Sequence, residues 1–407
     1  MKVCGVIAEY DPFHKGHAYH LRAAREATHA DYMVCVISGG FTQRGAPALL
    51  PASVRAEMAL RCGADAVLQM PYAFSVREAD AFALGGAAIL ARLQCVDFLS
   101  FGCETADIAL LNAAAGLLDA PDEDFNRVLR EELNKGLSFA AAQGKALENA
   151  FGTKARALAQ PNAALGVCYL RALRRLNRPI VPVPILREGA YHAAEVNAMP
   201  SAQALRQALL RGNWHAVEAA IPMEALPVLE RAVLDGQLLP PERMDALTRA
   251  ALLNADAETL RRVPGIDEGL EMRILKASRH AADREELITA VKTRRYTRGR
   301  ISRALCHLTL GVQKGDLPEI PGYARLLGFR EEARPLLRRM AQSGFPLVTR
   351  PARCPEAALD IRADETRAVI MGLPLCDIYR QKPVIIAEKP KKTDVPVGSC
   401  KSAADML

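Results

Sequence analysis

Over residues 1–105 the chain alternates short apolar runs with amphipathic stretches of helical length, and this alternation restricts its fold more than any other feature. Residues 3–8, 32–37, 66–70 and 98–101 read as strands, and residues 17–28, 51–62 and 79–93 as helices. Pro51 suits a first helical turn, where its missing N–H has no intrahelical partner to lose. Apolar runs without polar alternation fit strands covered on both faces, and strands separated by helices pair in parallel. The expected class is therefore α/β with a parallel sheet. Residues 106–150 and 163–176 read as helical. Residues 180–185 read as a further strand whose prolines, Pro182 and Pro184, place it at a sheet edge.

From about residue 212 the pattern becomes almost wholly helical, with candidate helices at 214–220, 224–234, 241–254, 257–262, 270–281, 284–293 and 302–310. A chain of 407 residues suits two or three domains. The expected division is a front unit at 1–211 with a helical insertion at about 106–160, a mostly α-helical unit at 212–385, and a loosely held tail at 386–407.

Composition removes several classes. Half of the residues are hydrophobic and the net charge is +7, so the chain is neither disordered nor histone-like. Its ten cysteines are scattered without C-x-x-C spacing, as expected of buried free thiols in a reducing compartment. The N-terminus lacks the pattern of a signal peptide, and no apolar stretch reaches the roughly 18 residues of a membrane span. A cytoplasmic, membrane-free protein is expected; the oligomeric state is left open.

The strongest local signal follows the first strand directly: Tyr10-Asp11-Pro12-Phe13-His14-Lys15-Gly16-His17-Ala18-Tyr19-His20. Ligands of open parallel sheets sit at the carboxyl ends of strands, and a helix N-terminus offers unpaired N–H groups to phosphate. Gly16 allows close backbone approach, and His14 and His17 can donate hydrogen bonds to oxygens that gain charge in a transition state. The competing reading is a metal pair at His17 and His20, for which no third ligand is near in sequence. A second phosphate signature, Ser201-Ala202-Gln203-Ala204-Leu205-Arg206, places a capping serine one turn before an arginine; a simple N-cap is its alternative.

The D-P-x-H-x-G-H pattern resembles the nucleotidyltransferase superfamily, and the order of motifs resembles one family within it, the tRNA(Met) cytidine acetate ligases. The residues that carry this likeness are Glu9 to His17, Ser38-Gly39-Gly40-Phe41-Thr42-Gln43-Arg44-Gly45, Arg55-Ala56-Glu57-Met58-Ala59, Phe101-Gly102-Cys103-Glu104, Pro161-Asn162, Arg187-Glu188-Gly189-Ala190-Tyr191-His192, Ser201 to Arg206, and Lys292 to Arg298. The resemblance implies a Rossmann-like nucleotidyltransferase domain followed by a mostly α-helical domain that binds tRNA. It implies ATP held by Ile7, Ala8, Glu9, Tyr10, Asp11, Pro12, Phe13, Gly16 and His20 of the first turn, with Gly102, Asn162 and Arg187. It also implies activation of acetate as acetyl-adenylate and acetylation at N4 of the wobble cytidine of elongator tRNA(Met). The chain departs from the family at Asp11, Gly40, Gln69, Cys103 and Gln203, where Asn, Asn, Glu, Ser and Thr are usual. Mg2+ suits ATP chemistry, but no acidic cluster in the sequence marks its site.

Lys292, Arg294, Arg295, Arg298, Arg300 and Arg303 lie within twelve residues, with Tyr296 among them and no acid between. Such a run can release counterions from RNA phosphates while Tyr296 stacks on a base, or it can be a solvated helix flank. Two rivals to the ligase reading remain: a small-molecule adenylyltransferase, and a non-catalytic tRNA-binding protein with a degenerate nucleotide site.

Overall fold

The computed structural model describes residues 1–187 and 202–387. Eight strands form one sheet: β1 Val3–Ala8, β2 Tyr32–Ser38, β3 Ala66–Met70, β4 Phe98–Cys103, β5 Val181–Leu186, β6 Ala324–Arg330, β7 Leu347–Val348 and β8 Val384–Ile386. Their order is β5-β4-β1-β2-β3-β6-β7, with β8 also on β6. The first five are mutually parallel, as expected, and β5 lies at the edge that its prolines require. From β1 the chain runs outward through β2 and β3, then returns to place β4 on the other side of β1. That reversal opens a crevice at the carboxyl ends of β1 and β4, where open α/β sheets bind ligands.

Both faces of the sheet are buried, and the strand period shows it directly. Val3 and Ile7 pack into one core with Val34, Val36, Leu68 and the helices Ala79–Arg92 and Pro161–Leu176. Cys4 and Val6 point the other way, into a core with Met33, Cys35, Ile37 and the helices Lys15–Thr28 (α1) and Ala52–Arg61. Residues 106–160 are mainly helical, as read from the sequence, in three main helices, Ile108–Asp119, Glu123–Asn134 and Phe139–Phe151.

Residues 245–309 form a separate helical core around Leu260, Ile266, Ile274, Ile288, Tyr296 and Leu305. The back half is mostly helical, as expected, but it also contributes strands that the sequence reading did not place: β6, which joins β3 in antiparallel register, and β7 and β8 beyond it. Leu326 and Phe329 of β6 enter one sheet core and Leu327 the other. Its composition of Leu, Arg and Ala favours helix intrinsically, so burial on both faces overrides propensity here. Gly328 is required because a Cβ there would lie 2.6 Å from the carbonyl oxygen of Val384. The expected tail therefore begins later than 386, since Ile386 belongs to β8; residues 388–407 lie outside the described residues.

Candidate active site at the mouth of the first strand

Ile7 and Ala8 end β1, and residues 9–14 turn the chain into α1 across the β1–β4 crevice. Tyr10 takes a left-handed backbone conformation, φ 53°, and Asp11-Pro12 is a cis peptide. Tyr10 and Phe13 are fully buried, with ring centroids 4.8 Å apart, and Tyr10 lies edge-on to His17 at the same distance. These two aromatics pin the loop from beneath. Asp11 accepts a hydrogen bond from the Leu49 N–H at 2.8 Å. Arg206 donates to the Asp11 carbonyl at 2.8 Å, which brings the second expected phosphate signature against the first. Ser201, its companion, lies outside the described residues, as do 188–200.

His14 is the N-cap of α1 and forms a reciprocal capping box with His17. The Gly16 N–H donates to His14 Nδ1 at 3.1 Å, and the His14 N–H donates to His17 Nδ1 at 3.2 Å. A backbone N–H can only donate, so in the neutral rings each Nδ1 carries the lone pair and each proton sits on Nε2. The two rings stack at 3.7 Å. Burial, followed by the charge of Arg187, lowers His14 to about 4. Burial, then His14, His20 and Arg187, pushes His17 well below the usual range. His20 falls to about 4 for the same first reason, and its Nε2 pairs with the buried Ser100 Oγ of β4 at 3.0 Å. At neutral pH the turn therefore presents two uncharged imidazole donors and a helix N-terminus, and besides Arg206 it has a second cation beside it.

That cation, Arg187, follows β5 and lies beside Gly102, where a Cβ would sit 3.6 Å from the Arg187 Cγ. Asn162 opens the helix Pro161–Leu176, with Pro161 in its first turn. Its side-chain amide donates to Glu104 at 2.6 Å, and the same carboxylate accepts the Ala163 N–H at 2.8 Å. Glu104 thus caps this helix from a distance and leaves the Asn162 carbonyl oxygen as its acceptor. Sequence reasoning assigned Glu104, Ser100 and Arg55 no role. Arg55 is fully buried and donates to carbonyls of Glu9, Ser38, Gly39 and Leu50. Arg55 and Glu104 lie within motifs that carry the family likeness, but their roles were not legible because most of their partners, such as Glu9 and Asn162, are distant in sequence.

A protein cage for Mg2+ does not fit these residues. Glu9 accepts from the Gln43 N–H, and burial holds it above the usual carboxylate range. Asp11 is engaged by Leu49. Among the described residues no group of three or more His, Cys, Asp or Glu side chains can hold a metal, so His17 and His20 gain no third ligand there.

In the helical core, three of the six cations of the basic run are paired by acids from other segments. Arg295 pairs with Glu268 at 3.1 Å, Arg298 with Glu285, and Arg300 with Asp267 and Glu268, both at 3.7 Å. Tyr296 is corrected as a stacking residue: its ring is buried in the helical core and its hydroxyl donates to the Glu268 carbonyl. Lys292 and Arg294 are exposed, and their side chains have no ion pair among the described residues.

A switch-point crevice closed by a helix that starts within an H-x-G-H segment defines a nucleotidyltransferase of the class that activates a substrate with a nucleoside triphosphate. The chain matches the HIGH Nucleotidyl Transferase family over residues 1–377. It is 35% identical over 372 residues to the tRNA(Met) cytidine acetate ligase of Caldanaerobacter subterraneus subsp. tengcongensis, covering 90% of this chain and 92% of that protein. The protein of the same name from Halothermothrix orenii is 33% identical over 367 residues, 86% of this chain and 87% of its own length. A crystal structure of Thermotoga maritima TmcAL bound with alpha-thio ATP matches with a TM-score of 0.88 at 29% identity, covering 95% of this chain and all of that one. The chain belongs to the tRNA(Met) cytidine acetate ligase family.

Proposed function

We propose that this protein is an ATP-dependent ligase that activates acetate as acetyl-adenylate and then acetylates N4 of the wobble cytidine of elongator tRNA(Met). In the first step an acetate oxygen attacks the α-phosphorus of ATP and pyrophosphate leaves. The Nε2–H groups of His14 and His17 donate to phosphate oxygens as their charge grows, and the partial positive charge of the α1 N-terminus favours that charge. Arg187 and Arg206 flank the same turn and hold the outer phosphates. In the second step the cytidine N4 attacks the acetyl carbonyl and AMP leaves. A base in an anticodon loop is already unstacked enough to be presented at little cost. The division of labour follows the chain: residues 1–211 carry the adenylation site, and the helical core with Lys292, Arg294, Arg295, Arg298 and Arg300 meets the RNA. Nine free cysteines among the described residues and the absence of a membrane-spanning helix there agree with a cytoplasmic setting.

The observation that carries this reading is the pair His14 and His17 at a helix N-terminus, whose Nδ1 atoms each accept a backbone N–H and so leave Nε2 to donate. Acetate-dependent exchange of pyrophosphate into ATP tests it, together with mass spectrometry of tRNA nucleosides. Wild type is expected to support both, and His17→Ala to lose about 10²- to 10³-fold of the exchange rate, the usual cost of one transition-state donor. Exchange that persists undiminished in the variant would reject the assignment.

A further inference from the structure

The segment Ser38–Leu50 links the two halves of the molecule, and nearly all of it is inaccessible. Among its thirteen residues Arg44 is the single exposed one; Gln43 and Ala46 are half-buried and the rest are buried. The segment folds back on itself through a bridge between Phe41 and Pro47, with the Gly45 N–H on the Thr42 carbonyl at 2.9 Å, so Arg44 stands at the tip of a tight turn.

Three buried arginines from three different helices hold this turn by its carbonyl oxygens. Arg55 binds Ser38 and Gly39, Arg367 binds Gly40 and Ala48, and Arg284 binds Gly45. Ser302, from the helix Arg298–Thr309, donates to the Arg44 carbonyl at 2.6 Å. Gly45, at φ 72°, lies so close to that helix that a Cβ would fall 2.6 Å from the Arg303 Cα. On the other side the Gln43 N–H reaches Glu9 of the nucleotide turn at 2.6 Å. The backbone of Arg44 is thus fixed between the nucleotide turn and the basic helix.

The guanidinium itself has no hydrogen bond or ion pair among the described residues, whereas Arg295, Arg298 and Arg300 nearby are each matched to a carboxylate. A rigid backbone carrying one unpaired, exposed cation is the arrangement expected of a recognition residue, since little ordering remains to be done on binding. We propose that Arg44 is a specificity-determining residue that grips a backbone phosphate of the RNA next to the target cytidine and sets that base over the adenylate. This rests on the ligase reading above. The alternative ligand of the same chemistry is a phosphate of ATP, and the test separates the two.

Acetylation kinetics of wild type, Arg44→Ala and Arg44→Lys are compared, with Arg130→Ala, an exposed arginine on the helix Glu123–Asn134, as control for the loss of one surface charge. Arg44→Ala is expected to raise the KM for tRNA about tenfold or more, and to flatten the dependence of log affinity on log salt by about 0.7, the value for one phosphate contact on a single strand. Arg44→Lys should recover part of the loss and Arg130→Ala should match wild type. An unchanged KM and salt slope in Arg44→Ala would overturn the proposal. So would an equal fall in tRNA-free, acetate-dependent pyrophosphate exchange, which would assign Arg44 to ATP. A wild-type protein that neither exchanges pyrophosphate nor acetylates tRNA would instead reject the ligase reading itself.

Discussion

A neutral imidazole donates only through the nitrogen that keeps its proton, and at His14 and His17 the backbone has already chosen which one that is. The price is paid in acid stability. His14 and His20 titrate near about 4 in the folded protein, lowered first by burial, while a histidine of the unfolded chain titrates near ~6.5. Between those values the unfolded state binds more protons, so their contribution is whole above ~6.5 and declines as pH falls towards 4. Thermal melts from pH 7 to 4.5 should therefore show a falling Tm. His20→Gln, which keeps a partner for Ser100 and removes one titrating ring, should show a shallower fall. Parallel curves for the two proteins would contradict this assignment. The tautomers needed atomic partners; the sequence identifies the histidines and not which nitrogen faces the ligand.

At the scale of elements, two helix N-termini converge on the crevice, and each is held by a side chain that also orders the site. Glu104 accepts from the Ala163 N–H and from the Asn162 amide. Glu104→Ala should cost about 1–2 kcal/mol of stability through the lost cap. It should also weaken ATP binding, because Asn162 loses its tether. Denaturant midpoints and calorimetric titration with ATP check the two effects; a loss of stability with unaltered ATP affinity would detach Asn162 from the nucleotide. The strand–turn–helix unit at residues 3–28 was legible because an apolar run, a proline and the H-x-G-H spacing all lie within one short stretch. Strand β6 was not, because its Leu and Arg residues suit a helix until β3 and β8 enclose them. The fate of the basic run was equally hidden. Arg298 finds Glu285 13 residues away and Arg295 finds Glu268 27 residues away, and no local pattern encodes such pairings.

At the scale of the whole molecule, the sheet and the helical core meet through the turn 38–50, Arg284 and Ser302. Cations already paired with carboxylates have less to gain from RNA, since binding must first break those pairs. The double variant Lys292→Ala/Arg294→Ala should therefore flatten the salt dependence of tRNA binding more than Arg295→Ala/Arg298→Ala does. Filter binding or fluorescence titration from 50 to about 200 mM salt reads this directly. An equal effect of the two pairs would mean that the acids are displaced at no cost.

All of this depends on where the triphosphate lies. A crystal structure of this protein with a non-hydrolysable ATP analogue is the most direct measurement. The account predicts α-phosphate oxygens within about 3 Å of the Nε2 atoms of His14 and His17, with Arg187 beside the same nucleotide. A nucleotide seated away from the β1–α1 turn, or with those two nitrogens facing anything other than phosphate, would contradict it.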